Sequence, residues 1–78
     1  MSKGEPMVSN EVVKVLADLL HDESEYEDLR VAAAEGLGYG GFSGARDALL
    51  QVVQDSSEGL TIRAAAIRAL GRTLHTAK

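Results

Sequence analysis

The chain has 78 residues, of which 45% are hydrophobic and 26% charged, with no cysteine, no tryptophan and a formal net charge of −4. That balance is too apolar for a disordered chain and suits one small domain, which buries only about 60% of its unfolded surface. The missing cysteine excludes disulfides and thiolate metal sites, and no apolar run of about 18 residues and no charged-then-apolar leader occurs, so a cytoplasmic protein is expected, without a membrane span or signal peptide.

Residues 1–8 show no period and hold the only proline, which reads as a flexible N-terminal arm. From about residue 10 to 21, Val12, Val13, Leu16, Leu19 and Leu20 follow the i, i+3, i+4 spacing of an amphipathic helix, which Ser9 or Asn10 can cap. His21-Asp22-Glu23 ends it, and Ser24 with Glu27 forms a capping box for a second helix over about 25–38. That helix places Leu29, Ala32, Ala33, Gly36 and Leu37 on one face, and the glycines of Gly38-Tyr39-Gly40-Gly41 stop it by supplying a left-handed closing residue. Gly36, which costs about 1 kcal/mol relative to Ala inside a helix, marks a close approach of helix axes. A third helix starts at Ser43 and turns Ala45, Ala48, Leu49, Val52 and Val53 inward. The fourth, over about 58–74, does the same with Leu60, Ile62, Ala65, Ala66, Ala69, Leu70 and Leu74.

The second half repeats the first. Leu29-Arg30-Val31-Ala32-Ala33-Ala34-Glu35-Gly36-Leu37-Gly38 aligns without a gap on Ile62-Arg63-Ala64-Ala65-Ala66-Ile67-Arg68-Ala69-Leu70-Gly71, a spacing of 33 residues. Upstream, Leu16, Leu19, Leu20, Asp22 and Ser24 fall on Leu49, Val52, Val53, Asp55 and Ser57. A fixed period of this size marks a stacked array. The expected fold is all-α: two helical hairpins, four helices in all, in a right-handed α-α superhelix, with repeat one at about 9–41, repeat two at about 42–74 and one domain over 9–78. Charge is unevenly shared. Residues 9–41 carry two basic and eight acidic side chains and sum to −6, whereas residues 42–78 carry five and three and sum to +2.

The pattern of helix, Asp-x-Ser turn and (Leu/Ile)-Arg-x-Ala-Ala-x-x-(Gly/Ala)-Leu-Gly resembles the HEAT-like repeats of the phycobilisome-lyase type, over about residues 12–74. The resemblance implies that the turn aspartate and second-helix arginine bridge, which here means Asp22 with Arg30 and Asp55 with Arg63. It also implies a protein–protein scaffold, and for a minority of the family a subunit of a bilin (tetrapyrrole) lyase. The inter-repeat loop departs from the family's Gly-x-Ile-Gly-Asp-Pro, and Phe42 is expected to replace the Ile as a buried plug.

Catalytic and ligand chemistry find little footing. Gly36-x-Gly38-x-x-Gly41 matches a dinucleotide fingerprint but closes a helix and follows no strand. The acidic run Asp22–Asp28 lacks the glycine and terminal glutamate of a calcium loop and reads as an exposed turn at a helix N-terminus. His21 and His75 stand apart with no cysteine nucleophile to activate, and Ser24 is better used as a cap. Arg63, Arg68 and Arg72 do not share one side of their helix, and the pI near 5.0 and scarce aromatics speak against nucleic acid. No enzyme activity, cofactor or metal is expected. Glu35 and Arg68 occupy equivalent positions, as do Lys14 and Asp47, and each pair is expected to bridge the repeats.

These readings lead to a small scaffold with a protein partner. Its contacts are expected on the face of the second and fourth helices: Glu35, Arg68 and Arg72, with Tyr39 and Phe42 as an aromatic spot. Two repeats are fewer than a stable solenoid normally needs, and both ends are apolar, through Val13, Val15 and Leu20 at one and Ile67 and Leu74 at the other. A homodimer, or a helical partner that continues the stack, is therefore expected. An isologous dimer through the fourth helix is the simpler form, and a head-to-tail contact is the one the charge asymmetry favours.

Overall fold

A computed structural model describes residues 9–39 and 43–76, and the side chains of all of these but Ser9, His75 and Thr76. The N-terminal arm, the Phe42 plug and the His75 side chain lie outside it. Four helices follow in order: α1 (Ser9–His21), α2 (Glu27–Leu37), α3 (Ser43–Val53) and α4 (Leu60–Thr76). α1 packs on α2 and α3 on α4, which makes two hairpins, and the hairpins stack through α1 on α3 and α2 on α4. The four-helix all-α stack expected from the period is what forms.

Its core lies between the hairpins and is built from small side chains. Leu20, Ala33, Ala34 and Leu37 of repeat one meet Ala45, Ala48, Leu49, Val52, Ile62, Ala65, Ala66 and Ala69 of repeat two, all buried. Leu29, Ala32, Leu60 and Leu74, expected inward, are exposed instead, with Leu60 at 82% and Leu74 at 72%. Leu29 and Ala32 face the side of repeat one on which no hairpin is stacked, whereas their counterparts Ile62 and Ala65 are sealed by repeat one. Burial here follows position in the stack more than helical period.

The close approach falls at Gly38 rather than Gly36. A Cβ on Gly38 would stand 2.8 Å from Ala69 Cβ and 2.9 Å from both its Cα and its carbonyl oxygen. A Cβ on Gly36 would meet the two Leu16 methyls, Cδ1 at 3.4 Å and Cδ2 at 3.8 Å, ordinary contact with a flexible side chain. Gly38 is also right-handed, with φ −76° and ψ −10°. Glycine is required there because α4 backbone occupies the space of a side chain, not because the helix closes left-handed.

The two α-α turns repeat bond for bond. Ser24 donates from its hydroxyl (2.6 Å) and its amide (3.0 Å) to Asp22 Oδ1, and Ser57 does the same to Asp55 at 2.6 and 2.9 Å. These are Asx turns, in which a short carboxylate fixes its own loop. The hydroxyl bond and then the amide bond hold both carboxyls below the usual aspartate range. The capping box is consequently not formed: Tyr26 sits at the N-cap of α2 without a side-chain cap, because the Ser24 hydroxyl is already engaged.

Candidate functional site

Arg30 lies in the first turns of α2 with its side chain 9% exposed. Its Nε donates to the Leu20 carbonyl at 2.9 Å, one of the free acceptors at the end of α1. The other two nitrogens form a fork on Glu58, at 3.1 Å to Oε2 and 2.8 Å to Oε1. Glu58 is itself 11% exposed and belongs to repeat two, so the fork spans the inter-hairpin junction. The Arg30 hydrogen bond, above all, holds the Glu58 carboxyl below its ordinary range. The expected Asp22–Arg30 bridge is corrected accordingly: Asp22 feels the arginine's charge but is bonded to Ser24, and the arginine's true partner comes from the next repeat.

Arg63 occupies the same place in repeat two and is left incomplete. One of its terminal nitrogens donates to the Val53 carbonyl at 3.0 Å, the counterpart of Leu20. Its Nε is buried without a hydrogen-bond partner among the described residues. Asp55, expected to bridge it, is held by Ser57. A buried guanidinium N–H without an acceptor costs about 1–3 kcal/mol, which marks a place where a group is wanted.

Beside Arg63 the far face of repeat two opens into an apolar groove of about 450 Å³ between α3 and α4, lined chiefly by Leu50, Val53, Ile67, Leu70 and Leu74. Ile67 is 53% exposed, whereas its counterpart Ala34 is fully buried, and Leu70 is part-exposed where Leu37 is 2% exposed. The groove is thus the face that repeat two covers on repeat one, repeated with none of the described residues over it. Thr73, buried in its wall, spends its hydroxyl on the Leu70 carbonyl at 2.6 Å.

The other expected contacts are spread differently. Glu35 and Arg68 are exposed and form no ion pair with each other among the described residues, and Lys14 pairs with Asp18 at 3.2 Å within α1 rather than with Asp47. Tyr39 and Arg72, equivalent positions of the two repeats, do meet: the guanidinium carbon lies 4.8 Å from the ring centroid. Tyr39 stays 69% exposed. Sequence reasoning missed Glu25, Glu58 and Leu50, and the close approach at Gly38. The period itself holds the signal for the first two, since Glu25 and Glu58 are 33 residues apart. Among the described residues no cluster of three or more His, Asp or Glu side chains is placed to hold a metal ion, and no helix is long and apolar enough to cross a membrane.

Two stacked α-hairpins, with small residues at the junction and an arginine reaching into the next hairpin, define a helical-repeat protein whose described helices expose apolar residues on both outer faces of the stack. The profile of HEAT repeats matches residues 13–77, and the chain belongs to that family, whose repeats generally mediate protein–protein interaction. No curated protein and no solved structure matches the chain.

Proposed function

We propose that the chain is a small non-enzymatic module that binds protein through the open α3–α4 groove, whose charged lining is Arg46 and Asp47, with Glu35 on α2 and Arg68 and Arg72 on α4 as further polar contacts. The observation carrying this reading is the grouping of Leu50, Ile67 and Leu74, 42%, 53% and 72% exposed, along one groove. Contiguous apolar surface of this kind marks an interaction site more often than scattered exposure does. Arg63 supports a polypeptide occupant, because its unpaired N–H calls for a carboxylate or carbonyl at the groove's edge.

The test places a photo-reactive residue at position 74 and irradiates the chain in an extract of its own cells. Discrete polypeptide adducts that vanish when I67R is introduced support the groove. Adducts unaffected by I67R, or none, refute it. A shift in bilin absorption on adding the chain, with no polypeptide adduct, supports instead the lyase-type role implied by the sequence resemblance.

A further inference from the structure

The two open ends of this stack are the two halves of its own internal junction. At that junction repeat one presents Leu20, Ala34, Leu37 and Arg30, and repeat two presents Ala45, Ala48, Ile62, Ala65 and Glu58. Shifted by one period, the first set becomes Val53, Ile67 and Leu70, which line the groove, and Arg63, which is bonded to the Val53 carbonyl behind it. The second set becomes Val12, Val15, Leu29, Ala32 and Glu25, and these apolar residues lie exposed at the opposite end.

We propose that the occupant of the groove is a second copy of this chain, joined head to tail, with Glu25 of one copy forked onto Arg63 of the other. This rests on the groove being a protein-binding site and names its partner. Three observations carry it. First, Glu25 and Glu58 have the same local setting: each accepts the amide of the residue after it at 3.2 Å, from Tyr26 and Gly59 respectively. Glu58 then also holds an arginine, and Glu25 has no cation among the described residues. Second, Arg63 carries a buried Nε without a partner among the described residues, whereas every nitrogen of the Arg30 fork is satisfied once Glu58 is in place. The junction lacks one carboxylate at one end of the chain and has one to spare at the other. Third, the apolar parts fit in the same sense. The arriving face carries Val12 and Val15 where the internal one has Ala45 and Ala48, and the larger side chains meet a groove with about 450 Å³ to fill. Gly71 stands where Gly38 does, and a Cβ there would meet none of the described residues within 4 Å in the single chain. In the joined pair it faces Gly36 of the second copy, the counterpart of Ala69. The acidic first repeat then lies on the basic second repeat between copies, as it does within one.

A head-to-tail contact leaves one free end of each kind, so growth continues with concentration unless a ring closes. Sedimentation equilibrium of the whole chain from micromolar to millimolar concentration is expected to show mass rising past the 8.3 kDa monomer. E25R and R63E are each expected to weaken association by about 30-fold or more, since each leaves a buried charge facing its like. Mixing the two variants in equal amounts is expected to restore it, because both junctions of the mixture again bring unlike charges together. G71A separates folding from assembly. An added methyl in the α4 interior raises the thermal midpoint by about 4 °C or more, yet it occupies the space the second copy's backbone needs and lowers association. A chain that stays monomeric to millimolar concentration overturns the proposal, as does association untouched by E25R and G71A, a mixture that fails to restore it, or a mass that stops at twice the monomer, as an isologous contact requires. If the chain is monomeric while photo-adducts at position 74 still depend on Ile67, the groove binds protein and only its assignment to a second copy fails.

Discussion

Replacing Glu58 with alanine should be among the most damaging single changes available to this chain. The Arg30 and Glu58 side chains are 9% and 11% exposed and joined by two bonds of 2.8 and 3.1 Å. The truncation leaves a guanidinium with its Nε on the Leu20 carbonyl and two arms facing an emptied, largely dry site. Breaking a buried pair from one side costs about 3–5 kcal/mol, against a total stability of about 0.05–0.15 kcal/mol per residue. We take about 3 kcal/mol, because water can reach part of the vacated space. With a urea slope of about 1 kcal/mol/M, the midpoint falls by about 3 M. The assay is urea unfolding followed by far-UV circular dichroism at low protein concentration. The double change Arg30→Met with Glu58→Leu should recover most of the loss, since the uncompensated charge is then gone. A loss for E58A below about 0.5 kcal/mol, as for an exposed pair, would refute the view that this fork holds the hairpins together.

Three further expectations follow from the same packing. Gly38→Ala forces a methyl against Ala69 backbone and should cost about 1–3 kcal/mol, whereas Gly36→Ala should be neutral or gain up to about 1 kcal/mol, and a pair of thermal melts separates them. Acid should weaken the fold through Glu58. Its carboxyl lies below the ordinary value near 4.5 in the folded chain, so its contribution is full above that value and is lost as pH falls through the lowered one. E58Q should therefore show a shallower loss of stability on acidification than the parent chain, measured by urea midpoints across that range. Removing the Tyr39 ring or the Arg72 guanidinium should cost about 0.5–1 kcal/mol each, and a double-mutant cycle should return a coupling of that size between them.

The period by itself determined the four helices, their pairing into hairpins and the stacking of one hairpin on the other, because each depends on local spacing that a linear chain displays in full. It also placed Ala45, Ala48, Leu49 and Val52 in the core and Ile67 on an open face. Which end of each hairpin is covered was not a local property: Leu29 and Ile62 match in sequence, and only the stack exposes one and seals the other. Arg30 shows the same division. The family resemblance implies a bridge from Asp22 to Arg30, but the aspartate's short side chain is taken by the serine two residues on, and the stack brings Glu58 to the guanidinium from 28 residues away. Gly38 likewise reads as a helix stop, and becomes a contact point only once the Ala69 backbone lies where its side chain would be. Tertiary structure decided these matters because a junction between repeats joins residues far apart in sequence, and helical period carries no record of which neighbour arrives.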